Sequence, residues 1–144
     1  MHRGIVQVAG DAHIVTSDAL RSLADEFGPL RSILIRHEQV LLAQAQQSAG
    51  CNASHTVESR MCRWMLRIRD LTGSDEMQLT QEFLAQMLGV RRSAVSVVAG
   101  TLQKAGFIKY SRGDIRLLDI EQIQAGACEC YQTVKGHYDR LLAI

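Results

Sequence analysis

The feature that most constrains this chain is the run from Leu79 to Val98, in which two helical patterns meet at a single glycine. Thr80 is placed to cap the first helix. Phe83, Leu84, Met87 and Leu88 recur at three- and four-residue spacing and give that helix one apolar face. Gly89 stands where a helix ends on a left-handed residue. Val90 fills the corner, and a second helix starts near Arg91 with Val95, Val98 and Leu102 turned inward. Ala85 precedes the glycine by four positions and is small enough to let two helices approach closely. Val95 comes six positions after it and plugs the core between them. Small residue, glycine and β-branched plug at this spacing are what two steeply crossing helices require, and they predict a helix-turn-helix.

The next residues sharpen the prediction. Ala105-Gly106-Phe107 ends the second helix. Ile108-Lys109-Tyr110-Ser111 and Ile115-Arg116-Leu117-Leu118 then alternate apolar and polar residues around Arg112-Gly113-Asp114. That pattern predicts a two-stranded hairpin with a tight glycine turn and a basic tip, and the Arg-Gly-Asp triplet is read as that turn. A helix-turn-helix with a basic hairpin after it is a winged helix.

Charge is distributed to match. Residues 79–118 carry Arg91, Arg92, Lys104, Lys109, Arg112 and Arg116 against only Glu82 and Asp114. Residues 1–78 hold eight basic against nine acidic side chains, and residues 119–144 two against four, so the net charge of +1 hides one basic segment. Such a segment is the electrostatic footprint of a phosphate-backbone partner. In a helix-turn-helix the first residues of the second helix enter the major groove. Here they are Arg91, Arg92, Ser93 and Ser96. An arginine can donate two hydrogen bonds to guanine O6 and N7, and the serines can reach phosphates or base edges. Thr80 can bring a hydroxyl and helix-end N–H groups to a phosphate. Lys109 and Arg112 on the hairpin complete the expected DNA contacts.

Upstream, short β-branched runs around Gly10-Asp11 suggest one or two strands within residues 1–15, too few for a stable sheet and so an arm or the edge of something larger. Thr16 or Ser17 can cap a short helix at about 18–27, ended by Gly28-Pro29. A longer helix is expected over roughly 30–50, with Leu30, Leu34, His37, Leu41 and Ala45 along one side. A stripe that apolar needs a partner; a parallel dimer seam is the expected one, and packing against a further domain is the alternative. Gly50 to Ser54 is read as a break. A helix carrying Val57, Met61, Trp64, Met65 and Ile68 on its inward face comes next, then a turn at Leu71–Asp75. Asp119 is expected to cap one final helix over 120–142.

The rest of the composition bounds the answer. At 144 residues, with aliphatic residues abundant, aromatics scarce and one proline, the chain suits a small helical protein. No apolar run is long enough to span a bilayer or to serve as a signal peptide, so no membrane partner and a cytoplasmic location are expected. Cys51, Cys62, Cys128 and Cys130 are too sparse for a disulfide framework. Cys128-Glu129-Cys130 could offer two thiolates to a metal, but with no second pair in view and with neighbouring helical residues facing apart, ordinary structural cysteines, no metal and no cofactor are expected.

At these residues the chain resembles the C-terminal portion of the Crp/Fnr family of regulators over about residues 16–119. Leu79-Thr80 and Leu84-Ala85-x-Met87-Leu88-Gly89 match that family's helix-turn-helix signature. The resemblance puts the family's base-reading arginine on Arg92. It also shows two departures: Ser93 replaces the usual acidic partner, and Val97 stands where a second arginine is usual. Full-length members carry a cyclic-nucleotide-binding-type β-barrel before the dimer helix. The resemblance therefore allows residues 4–15 to be the last strand or two of that sensor barrel, with a strand arm as the other reading of 1–15, and implies that a small-molecule effector enters only where the barrel is present.

The expected fold class is mainly α: a winged helix-turn-helix with a small β-hairpin wing, preceded by a long dimerisation helix. The expected organisation is an arm or barrel remnant at 1–15, dimerisation helices at 16–52, the DNA-binding domain at 53–119 and a C-terminal helix at 120–144. The function expected is a sequence-specific transcriptional regulator acting as a homodimer on double-stranded DNA. The alternative is an interaction module that heterodimerises with a full-length regulator. An enzyme is not expected, because no Gly-rich loop or nucleophile motif sets a hydroxyl beside a base.

Overall fold

The computed structural model describes Val6 and residues 10–142. In chain order the elements are α1 (Ser17–Glu26), α2 (Gly28–Ser54), α3 (Val57–Thr72), β1 (Glu76–Gln78), α4 (Gln81–Leu88), α5 (Arg92–Lys104), β2 (Ile108–Ser111), β3 (Asp114–Leu117), α6 (Ile120–Gly126) and α7 (Cys130–Leu142). Local chemistry sets most of these boundaries. The hydroxyls of Thr16, Thr56 and Thr80 each accept the backbone N–H three residues on, and the Asp119 carboxylate does the same for Gln122. Gly73 and Gly89 close α3 and α4 at φ of 66° and 64°. At Gly89 the N–H of Val90 reaches back to the Ala85 carbonyl at 3.0 Å, the six-to-one bond of a Schellman ending.

The core lies between α3, α4, α5, α6 and the sheet. Met61, Met65 and Leu66 of α3 meet Leu84 and Leu88 of α4, Val95 and Leu102 of α5, Ile108 and Ile115 of the strands and Ile123 of α6, all fully buried. Val95 plugs the helix pair as its spacing requires, and Ala85 is buried at the crossing. Trp64 is half-buried against the same cluster, a packing residue.

Four sequence expectations change. The wing is a three-stranded antiparallel sheet in the order β1-β3-β2, with Met77 and Tyr110 both opposite Ile115. Strand β1 is too short to carry a period of its own, and only pairing with β3 defines it. The long helix does not stop at Gly50 but runs to Ser54, since burial of Cys51 outweighs the roughly 1 kcal/mol that a helical glycine costs. The C-terminal segment is two helices, broken at residues 127–129, so Cys128-Glu129-Cys130 spans a break and does not lie inside a helix. Gly126 is the last residue of α6, where a Cβ would come to 3.4 Å from Cys62 Sγ, an ordinary contact distance. Finally, the strands expected within 1–15 fall partly outside the described residues, and the described ones at 10–15 have no partner strand and form none.

Helix α3 carries a feature the periodicity did not suggest. Its second face, with Arg60, Arg63 and Arg67, is buried as well, under α2 and α7. Arg60 donates to the carbonyl and the side-chain oxygen of Asn52, and Arg67 lies 4.2 Å over the Tyr138 ring. The Tyr131 hydroxyl donates to Asp70 at 2.9 Å, and burial together with that carboxylate pushes the phenol up to about 12.

Leu84→Ala should lower unfolding stability by about 2–5 kcal/mol, the cost of a cavity in a closed core. The exposed control Gln86→Ala should stay within about 0.5 kcal/mol. Urea titration followed by the fluorescence of Trp64, the single tryptophan, measures both.

Candidate nucleic-acid interface

The interface is assembled around Leu79, close to the start of α4. Its N–H donates to the Gly113 carbonyl at 2.7 Å, and its own carbonyl accepts the Tyr110 hydroxyl at 2.8 Å. Both backbone groups of Leu79 are therefore held by the wing. The wing is tied to α5 as well, because the Tyr110 N–H donates to Gln103 Oε1 at 2.7 Å. Burial raises the Tyr110 pKa, with the Arg92 guanidinium pulling the other way, so the hydroxyl remains a neutral donor.

The hairpin closes between the paired residues Ser111 and Asp114, leaving Arg112 and Gly113 as the turn with φ of 52° and 95°. Positive φ at both positions is the turn type that matches strand twist. Gly113 suits it. Arg112 does not, and a left-handed non-glycine residue costs about 1–2 kcal/mol. That strain is accepted where it aims a cation from the wing tip.

Arg92 is the first residue of α5 and is exposed. Arg91 is its N-cap and makes no capping bond with its side chain, and Ser93 is exposed beside them. A cleft of about 460 Å³ opens between the start of α4, the outer side of α5 and the wing, lined among others by Thr80, Gln81, Arg92, Ser96, Tyr110 and Arg112. The fold thus brings Thr80, Arg92, Ser96 and Arg112 to one concavity, with Arg91 and Ser93 at the start of the same helix.

Two expected contacts look different in place. The Ser96 hydroxyl lies 2.7 Å from Gln81 Oε1 and 3.2 Å from the Arg92 carbonyl, so its proton is engaged within the protein, joining α5 to the first residue of α4. Lys109 lies on the outer face of the sheet, opposite Arg116, whose guanidinium pairs with Glu76. It does not line the cleft that holds Arg92 and Arg112. Sequence reasoning missed Gln81, Gln103 and Tyr110, whose partners lie 15, 7 and 31 positions away. It also passed over Val97 as a surface feature, although this aliphatic residue of α5 is 69% exposed.

The candidate dimer residues share one side of α2. Leu34, Leu41 and most of that side are open to solvent, with Leu30, His37 and Ala45 beside them, whereas Val40 and Cys51 are turned inward. Leu41 leaves 52% of its surface open.

Comparison with known proteins agrees with this geometry. Residues 59–125 match the Crp-like helix-turn-helix domain. Among solved structures, FixK2 from Bradyrhizobium japonicum is similar at a TM-score of 0.73 and 16% identity, over 79% of this chain and 60% of that one. A transcriptional regulator of the Crp/Fnr family from Eubacterium rectale gives 0.60 and 18%, over 78% and 52%. A CRP/FNR-family regulator from Thermus thermophilus gives 0.56 and 24%, over 78% and 55%. The chain thus spans little more than half the length of these proteins, and at such identities they show the fold alone. No curated protein is a significant sequence match.

Tyr110→Phe should cost about 1 kcal/mol, because it leaves the Leu79 carbonyl without its donor. Amide hydrogen exchange across 108–117 should accelerate relative to α3. Unchanged exchange would mean that the wing is held without this bond.

Proposed function

The chain carries a Crp/Fnr-family helix-turn-helix domain, a DNA-binding module of transcription regulators and not of enzymes, and from that premise we propose that it reads specific double-stranded DNA sites as a cytoplasmic homodimer. One observation carries the reading: Arg92 and Arg112, from two different elements, line a single cleft whose shape is held by hydrogen bonds through Leu79, Tyr110 and Gln103. Rigid presentation matters because an arginine discriminates guanine only when its fork meets O6 and N7 together.

In this reading Arg92 is the specificity residue, entering the major groove at the start of α5. Arg91 and Ser93 reach the adjacent backbone or base edges. The exposed Val97, one turn on, offers a methyl surface that suits thymine and replaces a charged reader. Thr80, the first N–H groups of α4 and Arg112 hold phosphates on either side. Lys109 touches phosphate only where the duplex bends toward the outer face of the wing. The cytoplasmic assignment is supported by the regulator family and by the finding that no described helix is long and apolar enough to cross a membrane.

Arg92→Ala should weaken specific binding by about 1–3 kcal/mol and relax preference at one base pair per half-site. Arg112→Ala should weaken binding to all sequences alike and reduce the salt slope by about one. Selection from random duplexes with wild type and each variant, followed by salt titration, reads both. An identical selected motif for Arg92→Ala would remove this residue from the reading face.

The homodimer is supported by the open aliphatic side of α2. At about 25 cal/mol per Å² of apolar surface, burying Leu34, Leu41 and their neighbours on both protomers offsets the entropy of association. Two readers on a two-fold axis would then meet half-sites about one helical turn apart. Leu34→Glu combined with Leu41→Glu should give monomers that keep a folded winged helix, whose core lies in Leu84, Leu88, Val95 and Leu102. Sedimentation equilibrium at micromolar concentration distinguishes the outcomes, and a monomeric wild type would refute the dimer.

A further inference from the structure

We propose that Cys51, His55, Cys128 and Cys130 form a closed binding site for one divalent cation of the zinc type, held by three thiolates and one imidazole. The four side chains come from two places that the sequence keeps far apart. Cys51 and His55 stand one turn apart at the end of α2, where His55 is the residue that caps the helix. Cys128 and Cys130 flank Glu129 at the break between α6 and α7. Among the described residues, their ligand atoms all lie within 4.8 Å of one another. Cys51 Sγ is 3.5 Å from Cys128 Sγ, and Cys130 Sγ is 3.5 Å from His55 Nδ1.

These separations suit one tetrahedral ion. Metal–sulfur bonds of about 2.3 Å and a metal–nitrogen bond of about 2.0 Å place ligand atoms roughly 3.5–3.8 Å apart, so a contraction of about an ångström or less completes the shell. An iron–sulfur cluster spreads its thiolates over several iron atoms and needs them farther apart. Three sulfurs and an imidazole select a borderline-soft cation and reject magnesium or calcium, which take oxygen donors.

Buried cysteines are often only small hydrophobes. Here the surroundings argue for more. The three thiols are almost fully buried and form a cluster of their own, separate from the main core. His55 turns Nδ1 toward the sulfurs and holds Nε2 at 3.1 Å from Glu129 Oε1, an arrangement that fixes the ring's orientation as a ligand. Gln47 Nε2 donates to Cys130 Sγ at 2.9 Å, as an N–H group does to a metal thiolate. Packed apolar thiols require neither partner. With four protein ligands no position is left for substrate, so the role is structural. The cation would fasten the end of α2 to the C-terminal helices.

The test uses the full chain, reduced and stripped of metal, titrated with Co²⁺ and then with Zn²⁺. One equivalent of Co²⁺ should give thiolate-to-metal charge transfer and the intense visible bands of four-coordinate cobalt, and Zn²⁺ should bleach both. Saturating Zn²⁺ should raise the thermal midpoint by about 5–10 °C. Glu129→Gln, at an exposed position, should keep the spectrum and weaken binding about tenfold. Cys128→Ser should abolish the sulfur-rich spectrum, with circular dichroism confirming that the helices remain. Three results would overturn the proposal: no stoichiometric Co²⁺ spectrum in reduced wild type, a Cys51–Cys128 disulfide as the stable form of a protein that takes up no metal, or iron and labile sulfide in cluster amounts.

Discussion

Helix α3 is buried on both sides, and the rest of the molecule is arranged by what each side demands. One side presents Met61, Met65, Leu66 and Ile68, around which α4, α5, α6 and the sheet gather. The other presents Arg60, Arg63 and Arg67, whose Nε atoms have no hydrogen-bond partner among the described residues. Guanidinium groups are tolerated there because Arg63 and Arg67 stack on Trp64 and Tyr138, while Arg60 and Arg63 reach oxygens of Asn52 and Ser48. Burying charge is costly, so α2 and α7 must supply specific partners as well as cover. This two-sided demand joins the long helix, the C-terminal helices and the winged helix into one body.

The winged helix has its own pivot in Leu79. Strand, turn and helix N-terminus meet at one residue whose two backbone groups are both used by the wing. A helix start and the end of a strand are each liabilities alone, since both leave backbone groups to be paired. Here the Thr80 hydroxyl caps the helix start, while the Gly113 carbonyl and the Tyr110 hydroxyl satisfy both backbone groups of the residue just before it. The left-handed Arg112 is tolerable for the same reason, because the surrounding bonds over-determine its conformation. The basic tip and the start of α5 are thereby fixed relative to each other.

The candidate interface is legible in part. Thr80, Arg91, Arg92, Ser93 and Arg112 come from helix starts and turn chemistry, which act over a few residues and leave marks in spacing. Gln81, Gln103 and Tyr110 leave none, because their partners are set by how α4, α5 and the hairpin pack. Charge alone points to Lys109, and strand alternation turns it to the other face of the wing. The cysteines show the limit most plainly. Spacing reads Cys128 and Cys130 as two residues of one helix, yet the chain breaks between α6 and α7 and brings them against Cys51 and His55, more than 70 positions away.

By itself, the sequence determined the helix-turn-helix and its wing. A capping threonine, a glycine that accepts φ near 64°, a plug at Val95 and period-two alternation at 108–117 are each local, and they agree with one another. The open aliphatic side of α2 was equally readable from its three- and four-residue spacing. Only the tertiary structure decided where α2 ends, that the wing has a third strand, that three arginines lie inside, and that the C-terminal segment folds as two helices. In each case a long-range contact outweighed a local preference: Cys51 buried past Gly50, β1 paired with β3, guanidiniums covered by α2 and α7, and Cys128 and Cys130 buried with Cys51. Propensity is worth roughly tenths of a kcal/mol per residue, whereas burying a side chain is worth about 1.5–3 kcal/mol, so packing prevails wherever the two disagree.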